Sequence, residues 1–474
     1  MQRCLSVAAL CLLAQCSTPK GLEMMPTKIT RVPVVEQLAH LWRASVGSLA
    51  RAPVSTTKAV ALSAAQRTHA FFAGTTPLPT IETLPPDAPA PGTEAFEALL
   101  DAQKLPARSS GKVRLLVDGA EFFPELVREV KNARTSIDSQ VFIFDNDDTG
   151  VRFADLLREK SRQIPVRVFI DGLGTRTAHK VNPETPPPPG FQPPDFIGDY
   201  LVQDSDVKLR VTTNPALLCD HTKLHLIDGR LAYMGGMNIG REYESEWHDL
   251  MARVEGPVVL DLANIFQRHW DGESWVRNWT LQNALHRREA AGVSPQQVAG
   301  AYPLRVLRTY VAKGRKEIAR ALRTAVQAAR QRVWVHTPYL AEEGMISDFL
   351  DAARRGVDVR IILPGANDSG IMNTVNHTSA ARLIAAGVKV YGYPGMTHMK
   401  VVLCDGWAMF GSANCDTLSL KLNRELNLAS SAPPFVQSIQ RRVFEADFSL
   451  CQRLTQAAAE KKGSTLMGVI GNQL

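Results

Sequence analysis

The sequence contains no run of 18 or more apolar residues, so a protein that crosses a membrane several times is excluded. Cysteine is scarce, with seven residues in a chain of 474, and no two of them form a Cys-x-x-Cys pair. A zinc knuckle, a thioredoxin-like motif and a disulfide scaffold are therefore not indicated. Hydrophobic residues make up 45% of the chain and charged residues 21%, which is typical of an ordinary globular protein and excludes a wholly disordered one. At about 150 residues per domain, the length predicts roughly two to three domains.

Acidic residues are slightly outnumbered, with 47 Asp and Glu against 54 Lys and Arg, and the formal net charge is +7. This mild excess of positive charge favours an anionic partner such as a phosphate, a nucleic acid or an acidic lipid. The same charge is compatible with a role in solubility alone, so it decides nothing until a phosphate site is identified.

The first sixteen residues resemble an export signal. An apolar run covers residues 4–14, and the segment ends in Leu-Ala-Gln-Cys, which is similar to the cleavage box of bacterial lipoproteins. We therefore expect residues 1–16 to be a signal segment and Cys16 to be a lipid attachment site in a bacterial envelope. If translation starts instead at Met24 or Met25, the segment is not a signal and the protein works at the cytoplasmic membrane surface.

From residue 112 onward, segments with a strand pattern alternate with segments with a helix pattern, which predicts an α/β sheet. The predicted strands are 113–117, 136–144, 166–170, 332–336 and 357–363, and the predicted helices are 122–133, 151–162, 318–329 and 345–355. The order recurs, and PVRVFIDG (165–172) matches GVDVRIILPG (356–365), so the chain contains one internal duplication. We expect an N-terminal extension at 17–110 with a proline-rich linker, a first domain at 111–300 and a second at 301–474.

Each half carries one copy of a His-x-Lys motif that ends in Asp, HTKLHLID (221–228) and HMKVVLCD (398–405). In both halves an asparagine and a carboxylate follow at nearly the same spacing, namely Asn238 and Asp249 in the first half and Asn414 and Glu425 in the second. A single copy is a weak signal that chance produces on a buried strand. Two copies with the same downstream residues are a strong one.

The spacing of the motif fits a strand. Because alternate residues of a strand point to the same face, His221 and Lys223 project into one pocket, and the second copy does the same. By this parity His225 either lines the pocket or supports it, and the second is favoured because its second-half counterpart is Val402. The Asp-Gly turn then reverses the chain, so that the next strand brings the asparagine alongside.

This set of side chains suits a phosphate. Two lysines supply positive charge and two asparagines supply neutral donors, while one histidine attacks phosphorus and the other protonates the leaving oxygen. Asp249 and Glu425 would each hold an imidazole in the right tautomer. No metal or other cofactor is expected, because two lysines already balance the phosphoryl charge. The predicted catalytic residues are His221, Lys223, Asp228, His398, Lys400 and Asp405, and the predicted substrate-binding residues are Asn238 and Asn414.

At these motifs the sequence resembles the phospholipase D superfamily, whose two HKD motifs meet in one active site. Four segments are similar to bacterial cardiolipin synthases: HTKLHLIDGRLAYMGGMNIGREY (221–243), TPYL (337–340), AARRGVDVRIILPG (352–365) and GSANCDTLSLKLNRELNL (411–428). The resemblance covers residues 112–455 and implies two duplicated phospholipase D-like α-β-α sandwich domains that form one shared active site. It also implies phosphatidyl transfer through a phosphatidyl-histidine to an alcohol or water, with His221 as the nucleophile and His398 as the general acid and base.

Two features depart from that family. Its usual pair of N-terminal membrane helices is not found, and Leu418-Ser419 stands where the family has Arg-Ser after GSxNxD. We expect a phosphatidylglycerol-like phospholipid as the substrate, a membrane surface as the place of work, and a complete site in a monomer. A phosphodiesterase that acts on nucleic acid is the alternative, although no basic run with interleaved aromatics is present. A catalytically inactive scaffold is disfavoured because both motifs are intact.

Overall fold

The computed structural model describes residues 84–85, 87–180, 183–212, 218–271, 298–311 and 314–463. The predicted signal segment, Cys16 and most of the predicted N-terminal extension lie outside these ranges. None of the helices in the described ranges is both long enough and apolar enough to span a membrane.

The described chain alternates between strands and helices. The strands are β1 (Ser109–Val117), β2 (Ile137–Val141), β3 (Val166–Ile170), β4 (Lys208–Val211), β5 (Leu224–Ile227), β6 (Leu231–Gly235), β7 (Leu250–Glu255), β8 (Tyr302–Tyr310), β9 (Arg315–Lys316), β10 (Arg332–His336), β11 (Asp358–Pro364), β12 (Lys389–Tyr393), β13 (Val401–Cys404), β14 (Trp407–Gly411), β15 (Glu425–Ser430) and β16 (Gln452–Arg453). The helices are α1 (Glu94–Ala102), α2 (Asp118–Asn132), α3 (Asp148–Ser161), α4 (Gly172–Ala178), α5 (Ile197–Val202), α6 (Val258–Trp270), α7 (Glu317–Ala328), α8 (Glu343–Arg354), α9 (Gly370–Ala385), α10 (Pro433–Ile439), α11 (Ala446–Leu450) and α12 (Gln456–Lys462). Three π-helical turns are found at Glu242–Glu246, Leu418–Leu422 and Gln440–Glu445.

The strands form one continuous sheet in the order β16-β12-β11-β10-β13-β14-β15-β8-β1-β7-β6-β5-β2-β3-β4, with β9 beside β8. From the junction of β8 and β1 the order is equivalent in both directions, since β1-β7-β6-β5-β2-β3-β4 corresponds to β8-β15-β14-β13-β10-β11-β12. In each half the outer strands pair in parallel through helical crossovers, and the inner strands pair antiparallel. The predicted duplication and the predicted α/β class are both confirmed.

The two halves share a hydrophobic core. Helices α6 and α10 lie on the same face of the sheet, and their residues Phe266 and Phe435 belong to one buried cluster that includes strands of both halves. On the other face, α2 and α3 cover the first half, and α7, α8 and α9 cover the second. Backbone pairing of residues 109–111 of β1 with residues 302–304 of β8 joins the halves along their common edge.

Helix α1 packs with the second half, although the sequence placed it in an N-terminal extension. Phe96 is fully buried in the core of the second half and contacts Trp407 edge-on at a ring distance of 6.2 Å. Glu97 is also buried and pairs with Arg305 of β8 at 2.7 Å. A domain boundary at residue 110 therefore cuts helix α1 off from the second half, although α1 is part of the fold of that half.

The bounds of several elements agree closely with the sequence pattern. Strands β3 and β10 have the predicted bounds, and the predicted helix 318–329 is shifted by one residue. The predicted strand 136–144 instead ends at Val141. The chain leaves the sheet there and carries the next residue, Phe142, to the site described below.

Candidate active site

The two His-x-Lys segments meet where the halves of the sheet face each other. They lie in the residues that come just before strands β5 and β13, whereas the sequence predicts that each motif itself lies on a strand. Burial and the charges of Lys223 and Lys400 hold the pKa of His221 well below its usual value. Burial and the same two lysines do so for His398. All four side chains therefore belong to one pocket.

Each histidine is tied by its backbone to the opposite half of the protein. The amide of His221 donates to the carbonyl of Arg424 at 2.9 Å, and the amide of His398 donates to the carbonyl of His248 at 2.7 Å. The two carboxylates that the sequence singled out come directly after these two carbonyl residues in the chain. The backbone links thus bring each carboxylate to the histidine of the other half.

The pairing of histidine and carboxylate is crossed between the halves. His221 Nδ1 lies 3.1 Å from Glu425 Oε2, and His398 Nδ1 lies 2.7 Å from Asp249 Oδ2. Because Nδ1 of each ring is occupied by a carboxylate, Nε2 is the ring atom that is left for chemistry on a substrate. Neither half has a complete site without the other.

The two lysines are buried cations. Lys223 is 1% exposed and Lys400 is 4% exposed, and the Nζ of each donates to the carbonyl of its own motif histidine. Burial lowers the pKa of Lys223 to about 7 and that of Lys400 to about 8. An anion in the pocket would favour the charged form of both lysines, so the pocket is suited to a phosphate.

The two carboxylates that contact the histidines are also perturbed by burial. Burial raises the pKa of Asp249 to about 6 and that of Glu425 to about 8, although Lys223 and Lys400 act in the opposite direction on both. Groups whose protonation is balanced near neutral pH are typical of sites that move protons.

The two halves hold their carboxylates differently. Ser412 donates through Oγ to Glu425, and its carbonyl lies 3.0 Å from His221 Nδ1. The equivalent residue of the first half is Gly236, where a Cβ atom would lie 2.2 Å from Asp249 Oδ1. His221 Nδ1 thus lies between Glu425 and a backbone carbonyl, whereas His398 Nδ1 has the shorter contact with Asp249, whose Oδ1 also accepts a hydrogen bond from the amide of Leu250 at 2.7 Å.

Both predicted substrate-binding asparagines lie beside the pocket. Asn238 is buried and accepts a hydrogen bond from the amide of Ile143 at 3.0 Å. Asn414 is buried and donates to Asp416 Oδ2 at 2.9 Å. The first follows β6 and the second follows β14, so the hairpins deliver them as the sequence predicts.

The structure does not bring Asp228 and Asp405 to the pocket, although the sequence included them among the catalytic residues. Both lie in the hairpin turns at the far ends of β5 and β13, with φ of +53° and +48°. Oδ1 of Asp228 accepts hydrogen bonds from the backbone amides of residues 134–136, and the carboxylate of Asp405 accepts them from residues 330–332. These carboxylates hold the start of β2 and β10 against the hairpin, and this structural task explains their fixed spacing from the motif histidine.

Aromatic side chains form the walls of the site. The ring of Phe142 lies 4.8 Å from that of His221, edge to face, and 5.1 Å from Lys223 Nζ. The rings of Tyr243 and Trp247 lie 5.6 and 5.5 Å from that of His398. No spacing rule in the sequence identifies Phe142, because it contacts the motif only through the fold.

His225 occupies a supporting position, as the sequence predicts. Its Nδ1 lies 2.9 Å from Ser139 Oγ, and its ring packs against Phe122 and Phe153. Burial lowers its pKa to about 3, so the ring is neutral. His225 therefore belongs to the layer between the sheet and helices α2 and α3.

His248, whose backbone carbonyl contacts the second motif, has a raised pKa. Although burial acts against it, hydrogen bonds with Asp118 and Asp447 raise the pKa of His248 to about 9. His248 Nδ1 lies 2.7 Å from Asp118 Oδ1, and its ring stacks on Tyr393 at 4.4 Å. The carbonyl of His248 holds the His398 amide, so this cluster fixes the position of the second motif.

Two of the π-helical turns follow the asparagines at equivalent positions of the duplication. The turn Glu242–Glu246 comes four residues after Asn238, and the turn Leu418–Leu422 comes four residues after Asn414. π-Helical turns are rare and occur frequently at functional sites. Each turn ends three residues before the carboxylate of its half, Asp249 or Glu425.

Comparison with known proteins gives one consistent family. A family model described as "Cardiolipin synthase, PLD-like domain" matches residues 126–270 and 322–447, more than half of the chain. A probable cardiolipin synthase YwiE of Bacillus subtilis is 26% identical over 381 residues, which cover 78% of this chain and 72% of that protein. Cardiolipin synthase A of Pseudomonas fluorescens is 28% identical over 383 residues, which cover 76% of this chain and 74% of that protein.

A solved structure has a similar fold. The phosphatidylserine synthase of Haemophilus influenzae Rd KW20 superposes with a TM-score of 0.58 and covers 78% of this chain and 93% of that chain. At 14% sequence identity this likeness establishes the fold alone.

Proposed function

The chain belongs to the PLD-like domain family of the cardiolipin synthases and is a phosphatidyltransferase of the phospholipase D superfamily, and from that premise we propose that it works through a covalent phosphohistidine without a metal ion. The observation that supports this most is the crossed pairing of two imidazoles with two carboxylates around two buried lysines. The lysines supply the positive charge that a metal ion would otherwise supply to the phosphoryl oxygens.

In the first step Nε2 of His221 attacks the phosphorus of the donor phospholipid. A P–N bond forms, the P–O bond to the head group breaks, and His398 gives its proton to the leaving oxygen. The low pKa of His221 keeps its Nε2 unprotonated and nucleophilic. His398 takes up its proton when the anionic phosphodiester binds, because a nearby negative charge favours the imidazolium form.

In the second step the acceptor alcohol replaces the histidine on phosphorus. His398, now neutral, removes the proton of the acceptor hydroxyl, a new P–O bond forms and the P–N bond breaks. With the glycerol hydroxyl of a second phosphatidylglycerol as acceptor the product is cardiolipin, and with water it is phosphatidic acid. We propose the first on the strength of the relatives' names.

The division of labour between the histidines follows from their different surroundings. The Nδ1 of His398 faces Asp249 at 2.7 Å, and this strong partner raises the basicity of Nε2, which suits a group that must accept and donate protons. His221 Nδ1 lies 3.1 Å from Glu425 and 3.0 Å from the carbonyl of Ser412, so its contact with a carboxylate is longer and is shared with a neutral group. This supports His221 as the nucleophile and His398 as the general acid and base.

The direct test uses the protein lacking residues 1–16, phosphatidylglycerol vesicles and EDTA, with the lipids read by mass spectrometry. We expect cardiolipin and glycerol to appear in the presence of EDTA. Phosphatidic acid alone would identify a hydrolase, and activity that is lost in EDTA and restored by added metal would contradict the metal-free mechanism. If no lipid changes, cleavage of single-stranded DNA would identify the nuclease instead.

A second experiment tests whether Cys16 anchors the protein to the membrane. It compares the binding of two forms of the protein to the same vesicles, one with the full N-terminus and one without residues 1–16.

The pKa values of the two lysines predict that kcat/KM depends on pH. Because the pKa of Lys223 is about 7 and that of Lys400 about 8, both lose their charge as the pH rises through this range in the free enzyme. We expect kcat/KM, which reports the free enzyme, to fall between about pH 7 and pH 8. The fall in kcat should begin at higher pH, because bound phosphate stabilises the ammonium forms. Parallel profiles for the two parameters would contradict this assignment.

A further inference from the structure

The two π-helical turns beside the pocket have opposite chemistry, although the duplication makes them equivalent. The first-half turn reads EYESE, and the second-half turn reads LSLKL. Leu418 is the counterpart of Glu242, since each comes four residues after the asparagine of its half. The proposed reaction uses neither residue, and Leu418 is also one of the positions at which the chain departs from the Arg-Ser pattern.

The acidic turn borders the pocket on the side of His398. Tyr243 of this turn contacts the His398 ring. Burial, with the charges of Asp145 and Asp368, raises the pKa of Glu242 well above its usual value, and the pKa of Asp368 in turn responds to Lys400. A turn that carries three glutamates is unsuited to an acyl chain.

The apolar turn contacts the carboxylate on the side of His221, because the Ser419 side chain forms a hydrogen bond with Glu425. Leu418 and Leu422 form a small cluster with Tyr310, Val311 and Leu218, separate from the three large cores. Leu218 comes three residues before His221, and Leu422 comes three residues before its orienting carboxylate. The cluster is therefore attached by short lengths of chain to both partners of the nucleophilic pair.

Two members of this cluster are only partly buried, and one of them, Leu218, comes three residues before the histidine that would carry the phosphatidyl group. Tyr310, Val311 and Leu422 are buried, whereas Leu218 and Leu418 are only partly so. The Tyr310 hydroxyl accepts a hydrogen bond from Arg424 Nη2 at 2.9 Å, which turns the polar end of this side chain toward the protein.

We propose that this apolar cluster is the subsite for the acyl chains of the donor phospholipid, next to the glycerol, and that Leu418 determines the preference for a long-chain donor. The subsite deepens the proposed function and rests on it, because the phosphatidyl group bound to His221 must place its diacylglycerol part somewhere beside that residue. Of the two equivalent turns, this one carries leucines at the positions where the other carries glutamates. Removal of one leucine from contact with an acyl chain corresponds to roughly a tenfold or larger loss in affinity.

The test compares two donors with the same head group, dioleoyl phosphatidylglycerol in detergent micelles and water-soluble dibutyroyl phosphatidylglycerol. Leu418→Glu introduces the residue of the equivalent turn. We expect kcat/KM for the long-chain donor to fall at least about tenfold relative to the short-chain donor, chiefly through KM. The control variant is Leu450→Glu, which changes a leucine that is 56% exposed on α11 and should leave the ratio of the two donors unchanged.

Each outcome separates the subsite from the chemistry. If the unaltered enzyme converts neither donor, the proposed function fails. If it converts both and Leu418→Glu keeps its activity on both donors, the subsite is overturned while the function stands. If Leu418→Glu loses activity on both donors alike, Leu418→Ala decides, since a fall in the long-chain to short-chain ratio supports the subsite and an unchanged ratio overturns it.

Discussion

Replacement of His221 with alanine is expected to lower phosphatidyl transfer by about 10⁴-fold to 10⁶-fold, the range seen when a nucleophile or its base is removed from a site that acts as a unit. Without the imidazole there is no atom to form the P–N bond, and Phe142 and Lys223 cannot replace it. Initial rates on phosphatidylglycerol vesicles measure the loss. The fold should persist, because the His221 side chain is held by the contacts of its Nδ1 with Ser412 and Glu425 rather than by packing in a hydrophobic core.

His398→Ala should lose turnover to the same extent as His221→Ala, but it should differ from that variant in one respect. With phosphatidyl-p-nitrophenol as donor, whose leaving group needs little protonation, the first step still occurs and the second lacks its base. We therefore expect a burst of about one p-nitrophenol per enzyme and a phosphatidyl adduct on intact protein by mass spectrometry. His221→Ala should show neither the burst nor the adduct.

The matched control for both variants is His377→Ala. His377 is also buried, and its Nδ1 lies 2.7 Å from the carbonyl of Asn373 on its own helix, α9, outside the described contacts of the pocket. This variant should retain turnover. Turnover in either motif variant comparable to that of His377→Ala would contradict a site that uses both histidines, and an adduct on His221→Ala would reverse the roles of the two.

The sequence was sufficient for the parts of the structure that repeat. The match of 165–172 with 356–365 predicts two equivalent sets of strands, and the equivalent strand orders on the two sides of the β8–β1 junction confirm it. The paired His-x-Lys motifs predict a pocket with two histidines and two lysines, because the residues of each motif are close together in the sequence, although the strand on which the sequence places them begins one residue after each lysine. Such features depend only on residues close together in the sequence.

Features that depend on how the halves face each other were not predictable in the same way. Nothing in the spacing shows that Glu425 serves His221 rather than His398, since the crossing arises from the backbone bond between His221 and Arg424. Asp228 and Asp405 illustrate the opposite error. Their fixed distance from the motif histidine suggests chemistry, but a carboxylate that caps three backbone amides at a turn requires the same fixed distance.

Helix α1 escaped prediction for a third reason. Its sequence is separated from the second half by the whole first half, so no local pattern links Glu97 to Arg305 or Phe96 to Trp407. The buried ion pair and the aromatic contact are visible only once the sheet is closed around them. The charged pair is buried because the arginine emerges from the central strand β8 beneath the helix.

The crossed carboxylates predict a second large effect, with a kinetic signature that identifies which histidine each one serves. Asp249→Asn and Glu425→Gln should each lower turnover on phosphatidylglycerol by about 10²-fold to 10⁴-fold, because an amide does not hold the imidazole in the required tautomer. If Asp249 serves His398 across the halves, Asp249→Asn should still release a burst of p-nitrophenol from phosphatidyl-p-nitrophenol, since attack by His221 needs no general acid there. Glu425→Gln should slow the burst itself, because it acts on the attacking ring.

The control for these two variants is Glu125→Gln, which changes a buried carboxylate that accepts a hydrogen bond from Tyr233 and pairs with Arg253 away from both imidazoles. It should change thermal stability more than the burst. The crossing makes the two signatures opposite to those expected from the sequence order alone, in which Asp249 would follow His221 of its own half. A slow burst in Asp249→Asn together with a normal burst in Glu425→Gln would show that His398 is the nucleophile. Equal slowing of the burst in both variants would mean that the two carboxylates act on the pocket charge as a whole rather than each on one imidazole.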